Sequence, residues 1–462
     1  MDESFPITAS RPRRKAKRSA DVSLGWPGRT WRVDEAQEGP FTPVAFSRDE
    51  RVGLSPIHRL IHGDNLEVIR SLDVAGTVDL VYVDPPYASD RDYVAEARID
   101  GPADGRALRT LAYEDRWSPR GGVGAYLDMM APRLDALAGL LSARGSIWVH
   151  VDWRASYLVR ALLDEILGRE AFLNEIVWRR APNLGRQATS GQFGRTLDTL
   201  VVYGREKAKL LPPTRLEPIE PRAIRRDDEG RPFTSAPRGD YTDASIEKLD
   251  AEGRVHRTAS GKVYIKYFLV PNEEGVLCRE RRVDALWTDV APLRHAPPAE
   301  RTGYPTQKPR VLLERIVACA TEPGGLVVDA FAGSGTTAIA AHALGRRAIL
   351  VDASAVAITT ARTRLLREDA SFVLESTPST DAPLLAGIEV ARTAEGVRLV
   401  TPDEPLAWAV GRMNGGTFET VWHAERTPGT KAKGALLLAP VTGDDLAVRV
   451  FGDDGSVGTV KA

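Results

Sequence analysis

The chain is poor in the features that would make it a disulfide-stapled, thiolate-metal or membrane protein. Only two cysteines, Cys278 and Cys319, occur in 462 residues. They form no Cys-x-x-Cys pair, which excludes a disulfide framework and a cysteine zinc site and fits a reducing compartment. Cys319 falls in an apolar helical run and reads as a small core residue. No stretch approaches the ~20 consecutive apolar residues that a membrane helix takes. The first residues hold no apolar h-region, so neither a secretory leader nor a membrane is expected, and a cytoplasmic location is the expectation. Excess charge is missing as well. The net charge is -1, so a nucleic-acid partner would have to be held by local patches rather than a global field.

What remains is ordinary globular material, 43% hydrophobic and 27% charged, long enough for two or three domains at ~150 residues each. Residues 1–50 carry the basic run Arg11-Pro12-Arg13-Arg14-Lys15-Ala16-Lys17-Arg18 and read as a flexible arm, either solvated or laid on phosphates. From 51 to 203, strands alternate with helices. Val78–Val83 and Gly145–Val151 are apolar strand runs, Asp152 is positioned to cap a helix over 155–167, and Gly168 ends it. The 175–178 and 199–203 runs read as further strands. The 204–300 stretch breaks the rhythm with prolines, arginines and short β-like pieces. Over 205–310 there are 21 Lys and Arg against 17 Asp and Glu, a net of +4. The alternation returns over 301–370, with a helix after Pro309, a strand 326–329, a helix 336–344 and a strand 348–352. Residues 371–462 read as a small β-rich C-terminal domain. The fold class expected is α/β: a doubly wound, Rossmann-like sheet with helices on both faces.

Two motifs carry the chemistry. The first is Asp84-Pro85-Pro86-Tyr87, directly after the 78–83 strand. Two prolines end the strand. They leave a carboxylate, a rigid backbone with a free carbonyl and an aromatic ring at the strand's carboxyl end, where open α/β sheets bind ligands. These groups suit a planar base with an exocyclic amine, although strand–Asp–Pro turns also serve as plain punctuation. The second motif is Asp329-Ala330-Phe331-Ala332-Gly333-Ser334-Gly335-Thr336-Thr337-Ala338, a strand-to-helix turn. Gly333 allows a tight turn, Gly335 a close backbone approach and Ala338 close helix packing. Asp352 ends the next strand 19 residues after Gly333, placed to accept from ribose hydroxyls. This second pattern also satisfies a dinucleotide fingerprint, so a nicotinamide cofactor stays open on these residues alone.

Asp84-Pro85-Pro86-Tyr87, Thr306-Gln307-Lys308-Pro309 and the Asp329–Thr337 turn, in that order, resemble the motif set of the β-group amino-methyltransferases of DNA, including the type III modification methylases. Gly63-Asp64-Asn65, Asn174-Glu175-Ile176-Val177-Trp178 and Trp287-Thr288-Asp289 fit the same pattern. The resemblance covers about residues 55–370. Ala330 departs from it, since many relatives have proline there.

The resemblance implies a circularly permuted order of motifs, with a catalytic half at 51–203, a target-recognition region at 204–300 and a cofactor half at 301–370. It implies S-adenosylmethionine as cofactor and the N6 amine of a flipped adenine in double-stranded DNA as substrate. Asp84 favours adenine over the N4 amine of cytosine, because relatives with Ser there lean to cytosine. The Asp84 carboxylate and the Pro85 carbonyl would accept the two amine hydrogens, Pro86 would stiffen the turn and Tyr87 would stack on the base. Asp329, Phe331, Gly333, Ser334, Gly335, Thr336 and Asp352 would hold the cofactor. Lys308 would face its carboxylate, unless it is merely exposed before a helix. Asp64 would touch its adenine, unless it caps a helix. Trp178 reads as core or as an aromatic wall. Arg225, Arg226, Arg279, Arg281 and Arg282 are candidates for guanines or phosphates, or form a solvated face. A homodimer and a restriction subunit are compatible partners. Remaining alternatives are an RNA or protein-amide methyltransferase, a nicotinamide-dependent enzyme and a non-catalytic nucleotide-binding subunit.

Overall fold

The computed structural model describes residues 24–31, 42–55, 57–98, 107–182, 191, 193–258, 260–380, 384–401, 407–425, 438–452 and 454–462. The basic run at 11–18 therefore lies outside the described residues. The chain divides into two units, one of residues 1–211 with 285–462 and one of residues 212–284.

The first unit is organised by a mixed sheet, fourteen strands wide among the described residues. Its centre is six parallel strands in the order Leu141–Val151, Val78–Val83, Leu326–Asp329, Arg347–Asp352, His58–His62 and Phe372–Ser376. These runs are apolar on both faces because both are covered, as parallel sheets require. Leu60, Val81, Val149, Val328 and Ile349 are fully buried. The doubly wound α/β fold expected from the alternation is therefore present. The strand from the late glycine motif lies directly beside the strand that leads into Asp84-Pro85-Pro86-Tyr87, in a register that pairs Leu80 with Val327 and Tyr82 with Asp329. The order of motifs along the chain is permuted, while their order in space is that of neighbours.

Several boundaries differ from the sequence reading. The helix after Asp152 runs Ser156–Leu167 with Ala155 at its cap, and the Asp152 carboxylate instead accepts from the Arg154 amide at 2.8 Å. Within residues 1–50, Trp31 is buried, Arg29 pairs with Glu165 at 2.7 Å, and Ser47–Val52 is a strand. That strand lies antiparallel to Phe372–Ser376 on one side and parallel to Thr417–Glu425 on the other. The strands Thr417–Glu425, Ala407–Asn414, Leu446–Phe451 and Val457–Lys461 thereby continue the main sheet, so the C-terminal β-rich segment does not stand apart. The joint is sealed by a fully buried ion pair, Glu50 with Arg362 at 2.6 and 2.7 Å. Thr420 also donates to Glu50 at 2.5 Å.

The second unit is a sheet of short antiparallel strands, built on Pro232–Pro237, Val263–Pro271 and Leu277–Arg282, with one α-helix among the described residues, Asp243–Ala251. It holds fourteen Lys and Arg against fourteen Asp and Glu. The basic bias of 205–310 therefore lies outside it. Arg281 is bound to Glu217 at 3.0 Å, Arg279 stacks on Tyr267 at 3.5 Å, and Arg225, Arg226 and Arg282 are exposed.

Candidate active site

Asp84 leaves the Val78–Val83 strand at its carboxyl end with both carboxylate oxygens engaged. Oδ1 accepts from the Tyr87 hydroxyl at 2.6 Å, and Oδ2 accepts from Lys308 Nζ at 2.5 Å. The two motifs are joined through this lysine, 224 residues further along the chain, whose carbonyl accepts from the Thr336 hydroxyl at 3.3 Å. Lys308 lies on the Asp84 carboxylate, and its Nζ sits 5.3 Å from the Tyr87 ring centroid. Gln307 fixes this loop by accepting from Thr302 at 2.9 Å and donating to the Glu300 carbonyl at 2.7 Å.

Three non-glycine residues here have left-handed backbone, Ala88 (φ 55°), Asp90 (φ 57°) and Thr306 (φ 59°). Such positions persist only where their surroundings enforce them. At Ala88 the enforcing group is Asp115, which is fully buried. It accepts from the Ala88 amide at 3.1 Å, the Ser89 amide at 2.8 Å, the Ser89 hydroxyl at 2.6 Å and the Trp117 indole at 2.7 Å. It ends a hairpin, Arg91–Arg98 with Ala107–Asp115, whose Tyr93 and Tyr113 rings stack at 4.7 Å. The sequence reading found none of this. An acid in a mixed polar run has no local signature, and the two backbone amides it holds lie 26 and 27 residues away.

On the neighbouring strand, Asp329 is buried and accepts from the Phe331 amide at 3.0 Å and the Thr337 hydroxyl at 2.5 Å. Burial pushes its carboxyl up to about 7, against the lowering effect of those two bonds. Gly333 (φ +48°) presents its backbone to Tyr304, whose ring a Cβ would approach to 3.2 Å. Gly335 is required for a different reason from the one expected. With φ +76°, a Cβ there would come within 2.6 Å of Ala361 Cβ, so helix packing demands the glycine. Ser334 and Thr336 are buried and tied to the Arg364 guanidinium, which donates to the Ser334 carbonyl at 2.9 Å and to Thr336 Oγ1 at 2.8 Å. Asp352 accepts from the Gly333 amide at 2.8 Å and the Ser354 amide at 2.9 Å, and burial raises its carboxyl. Asp64 caps the Asn65–Ser71 helix through the Leu66 and Glu67 amides. Its other oxygen takes Arg133 at 2.9 Å.

Both motifs open on one cavity of about 410 Å³, within the ~300–1,000 Å³ range of small-molecule sites. Asp64, Asp84, Asp329 and Asp352 face it together with Pro85, Pro86, Tyr87, Phe331 and the glycine loop. A cavity so rich in carboxylates favours a ligand that brings positive charge and hydroxyl donors.

The chain belongs to the N6/N4 DNA methylase family, whose description, DNA methylase, applies to the match over residues 78–363. It is 28% identical over 378 residues to the type II methyltransferase M.EcaI of Enterobacter cloacae, covering 75% of this chain and 78% of that protein. It is 27% identical over 330 residues to the Mod subunit of the type III restriction-modification enzyme StyLTI of Salmonella typhimurium, covering 61% of this chain and 49% of the subunit. Among solved structures, the putative DNA modification methylase TTHA0409 of Thermus thermophilus aligns with TM-score 0.38 and 19% identity over 70% of this chain and all of that one. No described helix is long and apolar enough to cross a membrane.

The family's cofactor is S-adenosylmethionine, and the site fits it. That molecule brings an ammonium, a sulfonium and two ribose hydroxyls. The cavity meets them with Asp329, whose raised carboxyl gains from a cation, with Asp352 and Asp64, and with a glycine turn that no Cβ narrows.

Proposed function

We propose that the protein methylates the N6 amine of an adenine flipped out of double-stranded DNA at a specific sequence. The observation that carries this reading is the Asp84 turn facing the glycine loop across two adjacent parallel strands, within one cavity. An adenine amine is a weak nucleophile because its lone pair is delocalised into the ring. Asp84 accepts one N–H and the Pro85 carbonyl the other, which favours a pyramidal nitrogen with its lone pair directed at the donor. This is positioning and fixed electrostatics, the usual main sources of rate. S-adenosylmethionine, when bound, supplies an electrophilic methyl carbon. Tyr87 and Lys308 each occupy one lone pair of Asp84, and each oxygen keeps a further lone pair to accept the amine N–H.

Tyr87 supplies the stacking face for the base. Extrusion costs a few kcal/mol, which these contacts offset. Asp329 takes the cofactor ammonium, Asp352 the ribose, and Phe331 with Asp64 the adenine end. Gly333, Ser334, Gly335 and Thr336 shape the methionine end. The 204–300 region, which includes the Pro212–Asp284 unit, serves as target-recognition region, and a homodimer and a restriction subunit are compatible partners.

The aspartate at 84 supports adenine over cytosine. Incubating the purified protein with radiolabelled S-adenosylmethionine and plasmid DNA, then digesting to nucleosides, tests this. The expected product is N6-methyladenine. Label in N4-methylcytosine, or only in RNA or protein, would refute the assignment.

A further inference from the structure

A second cavity of about 450 Å³ adjoins the active site and shares with it the wall formed by Tyr87, Tyr93, Thr306, Gln307 and Lys308. Neither the glycine loop nor Asp84 reaches it. Its charged lining is Arg91, Arg154, Arg180 and Arg294 with Asp152 and Asp198, and Lys308 on the shared wall. Both carboxylates are buried, and each is committed to one arginine. Arg154 is held by Asp152 through one terminal nitrogen. Arg180 is held by Asp198 through Nε at 2.7 Å. The acids thus fix guanidiniums while other N–H groups remain for a ligand. Pinned guanidiniums lose little freedom on gripping a phosphate in their planar fork.

The pinning reaches back to the catalytic strand. The second oxygen of Asp198 meets His150 Nε2 at 3.3 Å, and His150 Nδ1 meets the Tyr82 hydroxyl at 2.9 Å. Tyr82 stands two residues before Asp84. Next in sequence to Arg154, Trp153 is 47% exposed, with the Arg154 and Arg195 guanidiniums 4.7 and 3.9 Å from its ring centroid. Each pair thus sets a buried acid under a partly exposed guanidinium that faces the cavity. Here the arginines are aligned at the mouth beside Tyr87, on the far side of the wall from the cofactor loop.

We infer that this second cavity is a phosphodiester-binding site, in which Arg154 and Arg180 grip the DNA backbone flanking the extruded nucleotide. The inference rests on the DNA-methylating reading. A base whose amine meets Asp84 and whose ring lies on Tyr87 trails its sugar and phosphates away from the cofactor loop, and this cavity is the space on that side. Arg154 and Arg180 are positioning residues for the nucleotide and take no part in the transfer.

The test uses the full chain and a duplex bearing the site that the wild-type protein labels in plasmid DNA. DNA affinity is measured over a series of KCl concentrations for wild type, Arg154→Gln, Arg180→Gln, Arg154→Lys and Arg144→Gln. Arg144 is exposed near the opposite end of the Leu141–Val151 strand. Each neutralised phosphate contributes about 0.9 to the slope of log affinity against log salt. Arg154→Gln and Arg180→Gln are therefore expected to lower that slope by about 1 each and weaken DNA binding. Arg154→Lys should keep the slope, and cofactor affinity by calorimetry should be unchanged in every variant. A slope no different from that of Arg144→Gln, or cofactor binding lost together with DNA binding, overturns the inference. Failure of the wild-type protein to label any DNA overturns the functional reading itself, a distinguishable result.

Discussion

At the scale of single residues, the site holds two carboxylates in contrasting environments. Asp84 is met by a lysine and a tyrosine hydroxyl, whereas Asp329 is enclosed with only a hydroxyl and an amide, and burial carries it up to about 7. A carboxyl raised above its unfolded value favours the folded state when protonated. Its contribution therefore fades as pH rises from the ordinary 3.8 through about 7. A bound cation reverses the preference. Cofactor affinity measured by calorimetry should strengthen as pH rises through about 7 and then level off. Asp329→Asn should bind more weakly and remove that dependence. A wild-type profile flat across this range would place the cofactor ammonium elsewhere. Asp84 and Asp329 were both legible in the sequence, because each closes an apolar strand with a turn motif. Lys308 was singled out too, but its seat on Asp84 depends on a pairing across the fold that spacing does not reveal.

Among elements, the parallel strands were the legible part. Val78–Val83, Leu326–Asp329 and Arg347–Asp352 are short, continuous apolar runs bounded by turns, as strands buried on both faces must be. The Arg91–Arg98 and Ala107–Asp115 hairpin was not legible, since its polar strands lack that signature and its anchor is tertiary. Yet the hairpin delivers Asp115, which holds the left-handed Ala88 next to the Asp84 turn. Asp115→Asn replaces an acceptor oxygen with a donor, so some of these bonds are lost and the turn relaxes. Because a displacement of ~1 Å remote from the chemistry can cost on the order of a hundredfold, kcat should fall by about that factor with cofactor affinity unchanged. An unaltered kcat would show that Asp115 only supports the hairpin.

For the whole molecule, the strand Ser47–Val52 joins the parallel core to the C-terminal strands, a link invisible in sequence because it unites segments more than 300 residues apart. Its Glu50 is enclosed with Arg362. Burial acts to raise the Glu50 carboxyl, but the Arg362 charge and hydrogen bonds hold it below the ordinary range. That stabilisation is present above the ordinary 4.5 and is lost as pH falls through the depressed folded value. Breaking the pair with Glu50→Gln leaves a buried arginine uncompensated and should cost about 3–5 kcal/mol in urea unfolding, with a shallower acid limb than wild type. A cost under about 1 kcal/mol, the worth of an exposed pair, would contradict its role as the seal of the joint.

The measurement that bears most directly on the site is single-turnover methyl transfer to plasmid DNA by Asp84→Ala, read beside its affinity for S-adenosylmethionine. With the glycine loop untouched, cofactor binding should persist while transfer falls by about a hundredfold or more. Transfer near the wild-type rate would contradict the assignment of Asp84 as the group that holds the amine.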